Sequence, residues 1–323
     1  MGSQLDTNHL TSALAITRDI WQKELSDALY YENATLDKIK NMSKGIDVIE
    51  GGTYLQIPVM VGGNTNTSAF SGFDTIPTAT QKGFVDAKLG KKRYGVTVPV
   101  SDEELDDNMG DAKVVDLTTS RIKQATMSVF EDISTDLFLD GTGTSSKTIT
   151  GLAAMVSATP AVGAYAGLNP ATITAWQNKY QEGANATLID DMDKLYYALL
   201  NGKSKPNILV SDALGSQLYA KKNRDAGGAN ISYVNGQKAD AGFVELAYHG
   251  MPLILDTHAP QASSTLPIFW MLNADKLGFY FKMGDFEKAG RTAGQFADTL
   301  QMAIVTQLYT NDRKAQGKFV ATS

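Results

Sequence analysis

Two strand-like runs separated by a long polar loop set the first limit on this fold. Leu55, Ile57, Val59 and Val61 alternate with Tyr54, Gln56, Pro58 and Met60. Tyr94, Val96, Val98 and Val100 alternate with Gly95, Thr97 and Pro99. Alternation of this kind is the period of a β-strand with one buried face. Between the runs, Gly62 to Gly83 is rich in Gly, Asn, Thr and Ser, with Phe70, Phe73 and Ile76 embedded. A two-stranded hairpin is marginal in water by itself. The segment therefore predicts a long hairpin that rests on something else. Pro58 and Pro99 lack an N–H and fit edge positions. The embedded apolar residues either close a small core within the loop or anchor in a neighbour's surface, because aromatic residues concentrate at interface centres.

The rest of the chain changes period several times. Leu14, Ile20, Trp21, Leu25 and Leu29 suggest an amphipathic helix that ends near Asn33, with a shorter helical stretch through Leu36 and Ile39. This terminal segment either docks on its own domain or reaches a neighbour. Residues 111–141 read as one long helix, with Asp111 as N-cap and Gly141 as C-terminal stop. Val115, Ile122, Val129, Ile133 and Leu137 hold one stripe, flanked by Phe130 and Phe138. Its length of roughly 40 Å suits a structural spine. Residues 142–187 are Ala-, Gly- and Thr-rich and loop-like. Residues 188–290 mix helix and strand: Leu188, Met192, Leu195, Tyr196 and Leu199 make a helical face, and Leu214, Leu218 and Tyr219 mark a second helix. Strands are expected at 207–210, 251–255, 267–272 and 278–281. Leu300, Met302 and Ile304 return to strand period, and Phe319-Val320 closes a last strand. The whole is an α+β chain.

Composition excludes several classes. Hydrophobic residues make up 43%, enough for a packed core, and charged residues 20%, below the usual value of about 25%. A subunit that buries surface against neighbours has such a balance. The formal net charge is -6, which argues against a tight nucleic-acid binder. There is no cysteine, so disulfides, thiolate metal sites and cysteine nucleophiles are excluded. No apolar run reaches the length of a membrane span. The first ten residues carry no signal-peptide pattern, and synthesis in a cytoplasm is expected.

Candidate chemical motifs fail on inspection. Gly141-Thr-Gly-Thr-Ser-Ser-Lys147-Thr148 resembles a phosphate-binding loop but has Ser146 where a glycine belongs, and a helix precedes it where a strand is needed. A calcium loop counted from Asp106 puts Gly110, Asp111 and Leu117 at its fifth, sixth and twelfth positions, which does not fit. The run Asp102 to Asp107 reads as a solvated connector. His9, His249 and His258 have no metal-binding spacing, and His249 before Gly250 reads as a turn. No Gly-x-Ser-x-Gly elbow is present. The expectation is no catalytic residue, no cofactor and no metal.

The order of elements, arm, hairpin, charged connector, long helix, α/β domain and returning strands, resembles the HK97-fold major capsid proteins of tailed bacteriophages. The resemblance is carried by Arg93-Tyr-Gly-Val-Thr-Val-Pro-Val-Ser-Asp-Glu-Glu-Leu105, the spine-like Val114 to Asp140, Leu139-Asp-Gly-Thr-Gly143 and Thr150-Gly-Leu152. It continues through Ala274-Asp-Lys-Leu-Gly-Phe-Tyr-Phe281, Gln301 to Tyr309 and Gly317-Lys-Phe319. It implies an HK97-like capsid fold with an N-terminal arm (1–50) and an extended E-loop hairpin (51–100) lying over an adjacent subunit. A P-domain (101–164) would hold the spine helix (about 112–140), followed by an α/β A-domain (165–290) and returning P-domain strands (291–323). The implied function is self-assembly through hexamers and pentamers into an icosahedral head enclosing double-stranded DNA without sequence-specific binding. Portal and scaffolding proteins, and a decoration protein, are the implied partners, and Phe70, Phe73 and Ile76 the implied inter-subunit contact. The implied location is the virion, with no membrane. An encapsulin-type nanocompartment shell shares this fold, and an enzyme of unknown chemistry on an α+β scaffold is the alternative of another class.

Overall fold

The chain sorts its strands by sequence pattern, with doubly covered strands apolar throughout and half-covered strands alternating. The computed structural model describes residues 34–42, 52–81, 83–101, 103, 111–225, 232–233, 246–284, 287–291 and 296–323. In chain order the elements begin with helix α1 (Ala34–Met42), strands β1 (Tyr54–Met60), β2 (Phe84–Gly90) and β3 (Lys92–Ser101), and the long helix α2 (Asp111–Asp136). Next come β4 (Lys179–Ala184), α3 (Leu188–Leu199), β5 (Ile208–Ser211), α4 (Ala213–Asp225), β6 (Ser232–Tyr233), β7 (Leu246–Tyr248) and β8 (Met251–Leu255). The chain finishes with β9 (Ile268–Leu272), β10 (Leu277–Met283), β11 (Glu287–Arg291), β12 (Ala297–Thr310) and β13 (Gly317–Thr322).

A central mixed sheet has the order β4-β13-β9-β5-β8-β7-β6. β9 is buried at every residue because both of its faces are covered. On one face Leu209, Phe269, Met271 and Phe319 pack on α3, through Leu188, Met192, Leu195 and Leu199, and on Tyr219 of α4. On the other face Ile208, Val210, Trp270 and Leu272 join a larger core. That core takes in Leu36 and Ile39 of α1, the far end of α2 through Val129, Phe130 and Ile133, Leu137 just beyond it, and the inner face of the β1–β2 pair. The described part of the N-terminal segment thus docks on its own chain. The helix expected between Leu14 and Leu29 lies outside the described residues.

A peripheral sheet is built on β12. β3 pairs along one edge of it, and β10 followed by β11 along the other, all antiparallel. Its residues Leu300, Met302 and Ile304 are buried and Gln301 and Ala303 exposed. Val98, Val100 and Leu300 of this sheet meet Ile122 of α2.

The structure corrects the strand pairing and helix end expected from the sequence. The hairpin partner of β1 is β2, with Met60 opposite Phe84 and Tyr54 opposite Gly90. β3 leaves the hairpin for the peripheral sheet, where Ile122 and Leu300 give Val98 and Val100 a buried face. The spine helix ends at Asp136, not near residue 140. There Leu137 and Phe138 turn into the core, and the Leu137 carbonyl accepts from the Leu152 N–H at 2.7 Å. Gly141 stands beyond the helix, with φ +82°. The last strand, β13, closes the central sheet between β4 and β9.

Candidate inter-subunit surface

The hairpin is rooted before it projects. Leu55, Ile57, Val59, Ala87 and Leu89 all face the main core. The Lys88 N–H donates to the Ala166 carbonyl at 2.8 Å, which ties the outer edge of β2 to the body. Ala166 (φ +54°) and Gly167 (φ +76°) form the two-residue turn that presents this carbonyl. Left-handed backbone is the mirror-type turn geometry and is disfavoured for alanine. Ala166→Gly is therefore expected to raise thermal stability by about 1 kcal/mol, read as a higher melting midpoint.

Beyond Val61, whose N–H donates to the Gly83 carbonyl at 2.9 Å, polar groups take over the cross-loop contacts. Thr65 Oγ1 donates to Gln81 Oε1 at 3.1 Å, Gln81 Nε2 to Asn66 Oδ1 at 3.1 Å, and Asn66 Nδ2 to the Ala79 carbonyl. A turn from Ser71 to Asp74 closes the end, with the Ser71 N–H donating to Asp74 Oδ2 at 3.0 Å and Gly72 at φ +59°. The apolar residues of this tip stay outside: Phe70 is 62% exposed, Phe73 fully exposed at 107%, and Ile76 50%. They form no loop core of their own.

The outward face of the hairpin continues this surface. Tyr54, Met60 and Phe84 are exposed, and Met60 and Phe84 stand directly opposite one another across the strands. The alternation of β1 carried the signal for Tyr54 and Met60. Phe84 was missed because β2 was not read as a strand. Several large apolar side chains exposed on one projection point to an interaction surface.

The other sequence candidates have structural roles. The phosphate-loop look-alike is a loop beyond the spine helix: Thr144, Ser145 and Ser146 all have positive φ, and the Ser146 carbonyl accepts from Lys92 Nζ. His249 (φ +47°) and Gly250 (φ +79°) make the turn between β7 and β8. The His249 ring stacks on Tyr196 at 4.3 Å, with Nε2 2.7 Å from Asp193 Oδ1. His258 bridges Asp256 Oδ1 (3.3 Å) and Glu131 Oε1 (3.1 Å), and Asp256 also accepts from Thr35 Oγ1 at 2.5 Å. This node joins α1, the exit of β8 and the spine helix. His9 and the acidic run 102–107, apart from Glu103, lie outside the described residues. Among the described residues no group of three or more His, Asp or Glu could hold a metal ion, and no helix is long and apolar enough to cross a membrane.

Neither a protein-family model nor a curated protein matches the sequence. Solved structures do. The Cyanophage A-1(L) capsid asymmetric unit matches with a TM-score of 0.60 at 17% identity, over 89% of this chain and 92% of that one. The capsid of the empty GTA particle matches at 0.57 and 14% identity, over 88% and 90%. A chain of Microbacterium phage Oxtober96 matches at 0.52 and 16% identity, over 88% and 90%. At such identities the likeness shows the fold, and the chain has the HK97-like capsid fold.

Proposed function

We propose that this chain, with its capsid fold, is the major capsid protein of a tailed bacteriophage. It assembles as hexamers and pentamers into an icosahedral head around double-stranded DNA, and its role is structural, not enzymatic. The observation that carries this is the hairpin: firmly rooted at its base, yet exposing Phe70, Phe73 and Ile76 at its end and Tyr54, Met60 and Phe84 along its outer face. A projection with this surface stabilises a protein by reaching another copy. Head-to-tail contacts of that kind close into rings, and obligate contacts typically exceed about 2,000 Å². The net charge of -6 fits a wall that encloses DNA without gripping it.

In this scheme the segment before residue 51 is the N-terminal arm and α2 the spine of a peripheral domain. The central sheet forms the axial domain. β10 and β11 pair in the peripheral sheet and β13 in the central one, which supports placing them in those two domains, and the E-loop proposed is the β1–β2 hairpin, residues 54–90. Portal and scaffolding proteins, and a decoration protein, are the further partners. The finished protein resides in the virion after synthesis in the host cytoplasm.

Negative-stain electron microscopy with sedimentation velocity tests the proposal on the purified protein. Closed particles, rings or capsomers are the expected result, and a strict monomer under all assembly conditions tells against it. Deleting Gly62–Gly83 should leave soluble, folded subunits that form no stable shells. Replacing Phe70, Phe73 and Ile76 together by serine should leave the melting midpoint unchanged, since these side chains are exposed, while abolishing assembly. Normal shells from either variant would sink the assignment of the tip.

A further inference from the structure

The peripheral sheet has an open edge. β3 pairs with β12 on one side and, among the described residues, with no strand on the other. Two observations fix which of its backbone groups face outward. The Ala303 carbonyl accepts from the Gly284 N–H at 2.8 Å, so Ala303 turns its backbone toward the β10 and β11 side. Its neighbours Met302 and Ile304 then turn toward β3, where they stand opposite Val96 and Tyr94. The alternation of an antiparallel ladder sends the N–H and C=O groups of Arg93, Gly95, Thr97 and Pro99 away from the sheet. Pro99 agrees independently. It has no N–H to offer the ladder, and its carbonyl accepts from Arg121 Nη1 at 3.3 Å.

Arg93, Gly95 and Thr97 are exposed, and a Cβ at Gly95 would meet only the Met302 carbonyl, at 4.0 Å. A run of open donors and acceptors on a straight edge is a template for another strand. The hairpin edges are better protected. β1 carries Pro58 in its middle, and β2 gives its Lys88 N–H to Ala166.

We propose that this edge pairs with the same edge of a second copy, antiparallel about a two-fold axis at Gly95. This rests on the shell reading, in which copies of the chain meet one another. The register follows from the side chains. Centred on Gly95, Arg93 falls opposite Thr97 of the second copy, so no like charges face each other. All three outward N–H groups then find a carbonyl. Pro99 falls opposite Lys91, beyond the last donor needed. A shift toward Ser101 would set Pro99 where a donor is required. Gly95 at the axis leaves the closest approach free of side chains, and the contact is isologous, as a two-fold demands.

The chain has no cysteine, so Gly95→Cys provides a single thiol. Assembled particles of this variant, treated with a short-spacer bismaleimide, should give crosslinked dimer as the main product. In particles of the parent chain, amide exchange at Arg93, Gly95 and Thr97 should slow by about tenfold or more against disassembled subunits. Thr97→Pro removes an outward donor without touching the β3–β12 ladder. It should fold as the parent does and give fewer closed particles. Particles whose three amides exchange freely would overturn the pairing, as would protected amides without the crosslink or a Thr97→Pro chain that folds and assembles normally. A parent chain that never assembles would overturn the shell reading itself, a result distinct from all of these.

Discussion

Gly151→Ala is expected to abolish accumulation of soluble protein, although it adds a single methyl group. A Cβ at this position would lie 2.3 Å from the Leu137 carbonyl oxygen and 2.6 Å from those of Asp136 and Leu139. The first and third belong to the turn that follows the spine helix, and the Asp136 carbonyl is the helix's last. The Leu152 N–H satisfies one of them at 2.7 Å, so the backbone at 151–152 must lie against the helix end. Moving it away would break that bond and lift Leu152 and Met155, both fully buried, out of the main core. The clash is with backbone on both sides and has no flexible side chain to absorb it. A cost of about 5 kcal/mol or more places it among the exceptional single substitutions, comparable with the entire stability of many domains. Soluble yield and thermal unfolding measure it. Gly63→Ala is the control: nothing lies within 4 Å of its Cβ position, and it should behave as the parent. A Gly151→Ala protein that melts within a few degrees of the parent would show that the helix end tolerates a different closure.

Arg313→Leu should cost about 3–5 kcal/mol, because it strips buried carbonyls of their shared donor at roughly 1–3 kcal/mol each. Arg313 is 1% exposed. Its Nε donates to the Met155 carbonyl at 2.6 Å, Nη1 to that of Trp176 at 3.4 Å and Nη2 to that of Ala154 at 3.3 Å. Its guanidinium also lies 5.3 Å from the centre of the Tyr165 ring, a cation–π distance. Burial pulls its pKa below the usual arginine value, yet a guanidinium remains charged throughout the physiological range. One side chain thus ties the turn between β12 and β13 to the loop-rich stretch that links the spine helix to the central sheet. Leucine would leave the carbonyls of Met155 and Trp176 buried without a donor, at about 1–3 kcal/mol each. Arg313→Lys should recover only part of the loss, because a single ammonium cannot match the planar fork. Denaturant midpoints of the three proteins test the order Arg above Lys above Leu. Equal midpoints would remove the clamp from the account of this fold.

Both residues lie in segments where local pattern says little. Thr150-Gly-Leu152 was noticed in the sequence as part of a resemblance. The reason for its glycine is a helix end more than ten residues upstream, which no local period contains. Arg313 looks like an ordinary turn cation until β12 and β13 close around it. β2 alternates Val85, Ala87 and Leu89 inward, but Asp86, Lys88 and the following Lys91-Lys92-Arg93 mask the pattern. β4, with the sequence KYQEGA, has no apolar alternation at all and exists because β13 offers it a parallel edge.

Local periodicity by itself determined the helix of Leu188–Leu199, the buried run Ile268–Leu272, the strand character of 54–60, 94–100 and 300–304, and the polar tip with its three apolar residues. Side-chain period is a property of a few consecutive residues, and it survives in any tertiary setting that covers one face. Tertiary structure alone decided which strand pairs with which. β1 and β3 both present one apolar face, and the choice between β2 and β12 as partner depended on where Ile122, Leu300 and the main core could cover those faces. It also decided that Phe70, Phe73 and Ile76 stay exposed. Whether a loop closes over its own aromatic residues depends on how many neighbours can reach them. Here the cross-loop contacts are polar hydrogen bonds between residues 64–66 and 79–81, and they hold the loop open beyond the reach of the core.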